Sequence, residues 1–457
     1  MQPVKKRLLT FYGDDFTGST DVMETLAKSG IKAMLFLKSP SRELLEEEFP
    51  DIEAVGVAGI GRSLTPEEME EELPPIFSAL AGIPSHIMHY KTCSTFDSST
   101  KVGNIGKAIE IAQSFYQKQR YIPLLVAAPA LKRYTVFGHH FASIGETTYR
   151  LDRHPVMSRH GVTPMDEADL SIHLSKQTNQ TIGLVDIVTL SQNSAEIKKV
   201  IEQRITSQSK IILFDAHDEN HIEKVGEALW DEVKEETIFV VGSSGIEHAL
   251  TSIWKQKGLT NGLESHFERP DPVEQLIVVS GSCSMVTQQQ IEYATSQGFI
   301  GIQMPVQDIM DPLLRNKAYD DVFKKAKEYM TAGKSIIFYT ALGPDDNSIG
   351  QVKQSLVSEG QNESDTGKLL GEQLGRLCKE LIRLFHLKRV AVAGGDTSGY
   401  VLKELQIFSL EMAAPLVTGA PLCKCHSEDE ALDGLEITLK GGQMGREDFF
   451  VQVKNGQ

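Results

Sequence analysis

The chain contains no apolar run long enough to cross a bilayer, which takes about 20 residues. It is also poor in cysteine. Cys93, Cys283, Cys378, Cys423 and Cys425 are odd in number and scattered, which excludes a disulfide framework and suits reduced thiols. Cys423-Lys424-Cys425-His426 has one C-x-C and one neighbouring histidine but no second pair, too little for a zinc site. A basic surplus is absent too. Lys and Arg number 46 against 62 Asp and Glu, a net charge of −16, which argues against nucleic acid or an anionic membrane as the main partner. The basic residues near Met1 are followed by only a short apolar-leaning segment before Gly13-Asp14-Asp15, not a signal-peptide core, so the expected location is the cytoplasm. Two phosphate-binding signatures are missing as well: no complete G-x-x-x-x-G-K-[ST] and no complete G-x-G-x-x-G occurs.

What is present is an alternation of strand-like and helical segments over 457 residues, a length that predicts two domains or three. Apolar runs near 8–12, 32–37, 53–60, 86–90, 122–127, 181–188, 210–215 and 237–241 predict strands. Helical spacing over 19–29, 104–116, 194–206 and 219–233 predicts helices between them. From 131 to 175 the periodicity weakens and Gly, Arg, His, Pro and Met dominate, which suggests a structured excursion outside the core. Gly, Asn and two prolines over 259–272 mark the linker. A second block follows, with strands near 275–280, 300–304, 335–340 and 389–393, helices over 286–297, 320–332 and 366–385, and apolar segments at 410–417 and 435–439. The expected fold is α/β: two domains, residues 1–262 and 275–457 joined by 263–274, each a mainly parallel sheet flanked by helices, with the active site in the interdomain cleft. Ligands then belong at the carboxyl ends of strands.

Three strand ends in the first block carry chemistry. Gly13-Asp14-Asp15-Phe16-Thr17-Gly18-Ser19 places two adjacent carboxylates where a helix begins. They suit holding hydroxyls, acting as a base or helping to place Mg²⁺, with simple N-capping as the plain alternative. Gly61-Arg62-Ser63 offers an arginine beside glycine, suited to a carboxylate. Lys91-Thr92-Cys93-Ser94-Thr95-Phe96-Asp97-Ser98 offers a lysine, an acid and several hydroxyls. Arg62, Lys91, Ser94 and Asp97 together suit a small hydroxylated acid. His139, His140, His154 and His160 lack the helical i, i+4 pairing of a metal site and are interleaved with arginines, which favours an anion-facing lid.

Three turns recur in the second block, each after an apolar strand: Ser280-Gly281-Ser282-Cys283-Ser284, Gly394-Gly395-Asp396-Thr397-Ser398-Gly399 and Leu439-Lys440-Gly441-Gly442-Gln443-Met444-Gly445. One such turn is ordinary. Three in one domain point to a nucleotide pocket formed by backbone N–H groups.

In order, these segments resemble the four-carbon acid sugar kinases over nearly the whole chain. The last turn, with Asp448-Phe449-Phe450 after it, differs at Gly441, Gln443 and Met444 from the Lys-Ser-Gly-Asn-Phe-Gly pattern common in that family. The resemblance implies a sugar-binding N-terminal domain, a nucleotide-binding C-terminal domain, and transfer of phosphate from ATP, with Mg²⁺, to the terminal hydroxyl of a four-carbon sugar acid or its 3-oxo form. Ser282, Ser284, Gly394, Gly395, Asp396, Thr397 and Gly442 would face ATP. Asp14 or Asp15 would orient or deprotonate the attacking hydroxyl. The segment 150–169 looks like a subset of the family, so a branched 3-oxo acid is the rival substrate. A metal-dependent hydrolase or lyase using the Asp pair, and a non-catalytic metabolite sensor, are the readings from other classes. The expected partners are the sugar acid and ATP, without nucleic acid or membrane, and nothing in the sequence excludes a homodimer.

Overall fold

The computed structural model describes residues 6–260, 267–346 and 363–457, without the side chains of residues 363–365 and 396. The chain divides into two compact units, Met1–Ser265 and His266–Gln457. Residues 263–266, with which the expected linker begins, lie outside the described residues. Among the described residues no helix is long and apolar enough to cross a membrane.

The first unit is built on β1 (Arg7–Gly13), β2 (Ala33–Phe36), β3 (Ala54–Ala58), β4 (Ser85–Lys91), β5 (Ile122–Leu125), β9 (Ile182–Val185), β10 (Ile211–Phe214) and β11 (Ile238–Gly242). They lie in the order β2-β3-β1-β4-β11-β5-β10-β9, and every pairing is parallel. β1 is buried along its whole length, because helices cover both faces of a parallel sheet. Each of the eight expected strands exists. The helix Pro66–Ala81 was not expected. Pro74 and Pro75 sit in its middle, yet Pro66 at its start, a capping box between Thr65 and Glu68, and buried Met69, Leu73, Phe77 and Leu80 hold it.

The excursion differs from expectation. It holds three further strands, β6 (Arg133–Val136), β7 (His139–Ile144) and β8 (Thr147–Arg150), paired as an antiparallel sheet. Leu151, Met165, Leu170 and Leu174 are fully buried there, so it adds core of its own. Its short strands are half exposed and most of its buried apolar residues lie outside them, Leu151 in a 3-10 turn and Leu170 and Leu174 in a short helix, which removes the simple periodicity that marks a strand.

The second unit has β12 (Ile277–Ser280), β13 (Ile300–Gln303), β14 (Ile336–Tyr339), β15 (Arg389–Ala393), β16 (Ile407–Val417), β17 (Ala420–Ser427) and β18 (Glu436–Lys440), in the order β13-β14-β12-β15-β18-β17-β16. Five are mutually parallel, and β17 runs against both of its neighbours. β17 carries Cys423 and Cys425 on one buried face. His426, next along the strand, points the other way and meets Glu411 at 3.3 Å. Strand alternation therefore separates the thiols from the imidazole and removes the zinc reading.

Candidate active site

In the first unit, three adjacent strands end together. Gly13 pairs with Ala58 on one side and with Lys91 on the other. The loops after β1 and β3 and the last residue of β4 thus emerge side by side at the carboxyl edge of the sheet. Asp15 caps the helix Phe16–Lys28, Oδ1 accepting the Gly18 N–H at 2.9 Å, a contact worth about 1 kcal/mol. Its Oδ2 accepts from Arg62 Nη2 at 2.5 Å. The Arg62 backbone N–H donates to the Asp14 carbonyl at 2.9 Å, and Gly61 N–H donates to the buried Tyr12 hydroxyl at 3.2 Å. Arg62 Nη1 lies 4.0 Å from Asp97 Oδ2, and Lys91 Nζ lies 3.5 Å from Asp21 Oδ2. Asp14, Asp15, Arg62, Lys91 and Asp97, with Asp21, therefore form one electrostatic cluster.

The charges are set by burial. Asp14 is 2% exposed and its Oδ1 is enclosed without a hydrogen-bond partner. Burial pushes its carboxyl up to about 7, aided by Asp15 and Asp97 and opposed by Arg62 and Lys91. Burial alone would lower Lys91, but the carboxylates of Asp21 and Asp15 outweigh it and hold the ammonium above its ordinary range. Cys93, between them in the loop, is pushed up to about 11 by burial and stays a thiol.

The loop after Lys91 is held from within. Thr95 Oγ1 donates to Asp97 Oδ1 at 2.6 Å, and Phe96, fully buried, takes a left-handed φ of 56°. Such a backbone in a bulky residue persists only where packing enforces it. Ser98 faces inward, to the Phe96 carbonyl, His173 and Gln177. The Ser94 carbonyl lies 2.8 Å from His140 Nε2. His140 is thus a buried brace, its Nδ1 3.0 Å from Thr135 Oγ1 and its pKa lowered to about 4 by burial, rather than an exposed lid residue. His154 Nδ1 likewise accepts the backbone N–H of Met157 at 3.1 Å. Among the described residues the histidines of 137–160 form no group of three ligating side chains.

In the second unit the same design recurs. Ser280 pairs with Ala393, and Ala393 with Lys440, so all three glycine-bearing turns leave the sheet at one level. Their close packing requires glycine. A Cβ on Gly442 would stand 2.7 Å from Ser282 Oγ, and Gly394 has a φ of 126°. Ser284 caps the helix Met285–Ser296, accepting the Thr287 N–H at 3.1 Å. The hydroxyls of Ser282, Ser284 and Thr287 lie 3.0 to 3.3 Å from one another. Those of Ser284 and Thr287 donate to the Gly442 carbonyl. Thr397 Oγ1 lies against Gly281 and Gly394, and Gly395 is exposed at the helix start. The Asp396 side chain lies outside the described residues.

Two residues of this site were not singled out from the sequence. Thr287 lies one helical turn beyond Ser284. Lys440 ends β18, 1% exposed, with its Nζ donating to Thr287 Oγ1 at 3.0 Å. Among the described residues it has no carboxylate partner, and burial lowers its pKa to about 8. A lysine closing an apolar strand directly before two glycines was the available signal.

Comparison with known proteins follows the same division. Residues 9–250 match a family model described as a sugar-binding N-terminal domain, and residues 277–450 match one described as a nucleotide-binding C-terminal domain. The chain is 40% identical over 98% of its length to a 3-oxo-isoapionate kinase of Paraburkholderia graminis, covering 94% of that protein. It is 26% identical over 97% of its length to a 3-oxo-tetronate kinase of Burkholderia multivorans, covering 96% of it. A solved structure described as a putative tRNA synthase of Salmonella typhimurium LT2 superposes with a TM-score of 0.77 at 22% identity, covering 98% of each chain. At that identity the likeness speaks for the fold alone.

Proposed function

This chain belongs to the four-carbon acid sugar kinases, and on that premise we propose that its acceptor is a branched 3-oxo acid of the 3-oxo-isoapionate type. The protein is a phosphotransferase that uses ATP and acts on a sugar-acid hydroxyl. The observation that carries the choice of acceptor is the 40% identity to a kinase named for that acid, against 26% to one named for 3-oxo-tetronate. A linear 3-oxo-tetronate is the second reading, since several further relatives carry that name at 25–26% identity.

The residue roles follow from the two clusters. Arg62 and Lys91 bind the carboxylate or oxo oxygen of the acid, and Ser94 and Asp97 bind its hydroxyls. Asp14 is the base. Both oxygens of Asp15 are engaged, by Gly18 N–H and by Arg62, whereas Asp14 keeps an enclosed oxygen without a partner and titrates at about 7. A base poised near the working pH is the most effective. Asp14 takes the proton of the attacking hydroxyl as that oxygen bonds to phosphorus and the bond to the ADP oxygen breaks. Asp15 keeps Arg62 in place.

The donor set of the second cluster fits a triphosphate. The Ser282 hydroxyl, the backbone around Gly394, Gly395, Asp396, Thr397 and Gly442, and the Lys440 ammonium all suit phosphate oxygens, and the Ser284 and Thr287 hydroxyls can turn to them from the Gly442 carbonyl. Among the described side chains of this cluster none is a carboxylate, the donor that a bare hard cation prefers. Magnesium therefore belongs to the substrate MgATP, neutralising phosphate charge.

The test is ADP release by the purified protein with MgATP against 3-oxo-isoapionate-type acids, 3-oxo-tetronates, threonates and erythronates. The highest kcat/KM is expected on the branched acid. A clear preference for a linear acid moves the assignment to the second reading. ATP binding with no release on any member overturns the acceptor assignment.

A further inference from the structure

Away from both clusters, three ligating side chains converge just beyond β10. His217 Nδ1 lies 3.2 Å from Asp218 Oδ2, and His221 Nδ1 lies 3.3 Å from Asp218 Oδ1. One ligand atom from each of the three lies within 4.8 Å of the others, and the two imidazole rings stand edge to face with centroids 4.6 Å apart. The local fold produces this grouping. Asp218 caps the helix Glu219–Glu232, its Oδ1 accepting the His221 N–H at 2.9 Å. That turn brings His221 back beneath its own cap, with His217 immediately before it.

The placement of protons decides what such a cluster can do. Ser191 Oγ donates its proton to the Ile187 carbonyl at 2.7 Å. Its lone pair therefore accepts from His221 Nε2–H at 3.1 Å. His221 is 3% exposed, and the ring proton that Ser191 accepts is on Nε2, the tautomer that the Ser191–Ile187 bond requires. Nδ1 then presents a bare lone pair. It is enclosed, makes no hydrogen bond, and faces a carboxylate oxygen that is also an acceptor. Two acceptors in contact repel unless a proton or a metal ion lies between them, and Nδ1 makes no hydrogen bond to Asp218.

We propose that His217, Asp218 and His221 bind one divalent transition-metal ion, with Zn²⁺ the ion that the donor set suits best. Zinc bonds of about 2.0–2.2 Å arranged as a tetrahedron put neighbouring ligand atoms about 3.3 Å apart, close to the 3.2 Å from His217 Nδ1 to Asp218 Oδ2 and the 3.3 Å from His221 Nδ1 to Asp218 Oδ1, the carboxylate turning one oxygen toward each imidazole. Two imidazoles and one carboxylate suit zinc and its neighbours, whereas Mg²⁺ and Ca²⁺ take oxygen sets. The His221–Ser191 bond is the outer support that fixes tautomer and ring orientation at such centres. His217 is 46% exposed, so water can complete the coordination. The positive end of the helix opposes a cation only weakly beside three ligand bonds. A bound ion would brace the segment after β10, where Ala216 bridges to Thr135 and Asp215 accepts the N–H groups of Phe137 and Gly138.

The test uses the full, tag-free chain stripped of metal and titrated with Zn²⁺ against a chromophoric chelator, then with Co²⁺ followed by visible absorption. One Zn²⁺ per chain is expected at micromolar affinity or tighter, with a rise in Tm. His217→Ala changes an exposed ring. It should lose the Tm response and bind Zn²⁺ at least tenfold more weakly, with circular dichroism and ADP release unchanged. Ser191→Ala leaves all three ligands in place and should weaken binding by roughly ten- to a hundredfold. Folded wild type that takes up no Zn²⁺ at micromolar concentration, or His217→Ala and His221→Ala proteins that bind it as tightly as wild type, would overturn the proposal.

Discussion

The buried ammonium of Lys440 donates to Thr287 Oγ1 at 3.0 Å, and among the described residues this is its one hydrogen bond. Three N–H donors in an enclosed position with one neutral acceptor are poorly satisfied, and burial alone lowers the group to about 8. An arriving phosphate supplies the missing charge. Lys440→Met should therefore weaken ATP binding by about 1.5–3 kcal/mol, roughly ten- to a hundredfold, with the KM for the acid unchanged. The wild type should also take up protons on binding ATP at pH 8 to 9, read by calorimetry in buffers of different ionisation enthalpy. The lowered lysine makes the unfolded chain the stronger proton binder between about 8 and the ordinary lysine range. Wild-type stability should rise with pH across that window, and the methionine variant should lack that rise.

Asp14 gives the opposite linkage. Its folded carboxyl is raised to about 7, so the stability it contributes is full below the ordinary carboxylate range and is lost as pH rises through about 7. Asp14→Asn should resist urea better than wild type at pH 8, and the two should converge near pH 3. The same change should lower kcat by about 10²–10⁴. In the wild type, kcat/KM for the acid should climb with unit slope and level off above about pH 7, and this limb should vanish in the variant. A variant with near-wild-type turnover would remove Asp14 from the mechanism.

Gly442 is where its own turn and the serine turn leave no room. A Cβ there stands 2.7 Å from Ser282 Oγ and 3.3 Å from Ser284 Cβ, so Gly442→Ala must displace the serine turn. The KM for ATP should rise by roughly ten- to a hundredfold, as expected for a displacement of about 1 Å in a positioned site. Steady-state kinetics with each substrate varied separately checks that the acid's KM stays put.

Asp215 fastens the excursion. Its carboxylate accepts backbone N–H groups from Phe137 at 2.6 Å, Gly138 at 2.9 Å and Ile187 at 3.2 Å. Asp215→Asn turns one acceptor into a donor facing other donors. It should cost about 1.5–3 kcal/mol in urea unfolding and speed hydrogen exchange over 133–150.

Cys283 reports on the nucleotide site directly. It is the exposed cysteine of the five, and it lies between Ser282 and Ser284. Maleimide should label it first, and MgATP should slow that labelling while the sugar acid does not.

Much of the fold was legible because apolar runs ending in glycine, acid and hydroxyl are how a buried parallel strand must end. The eight first-unit strands and most of those in the second announced themselves this way. β17 did not, because Lys424 and His426 interrupt its hydrophobicity. The three strands of the excursion did not, because half-exposed antiparallel hairpins bury too little to leave a pattern.

Sequence alone determined which residue types stand at the strand ends: the Asp14–Asp15 pair, Arg62, Lys91, and the three turns of Ser282, Gly394 and Gly442. Strand order is a matter of non-local pairing, and only the tertiary structure decided that β1, β3 and β4 lie side by side, as do β12, β15 and β18. It also decided the states of the groups. Asp14 and Asp15 are neighbours of identical chemistry, yet Asp15 caps a helix and pairs with Arg62 while Asp14 is enclosed and raised to about 7. Lys440 became a buried cation, and His217, Asp218 and His221 a cluster whose ligating atoms lie within 4.8 Å of one another. Burial and hydrogen-bond partners set protonation, and neither is written in the order of residues along a chain.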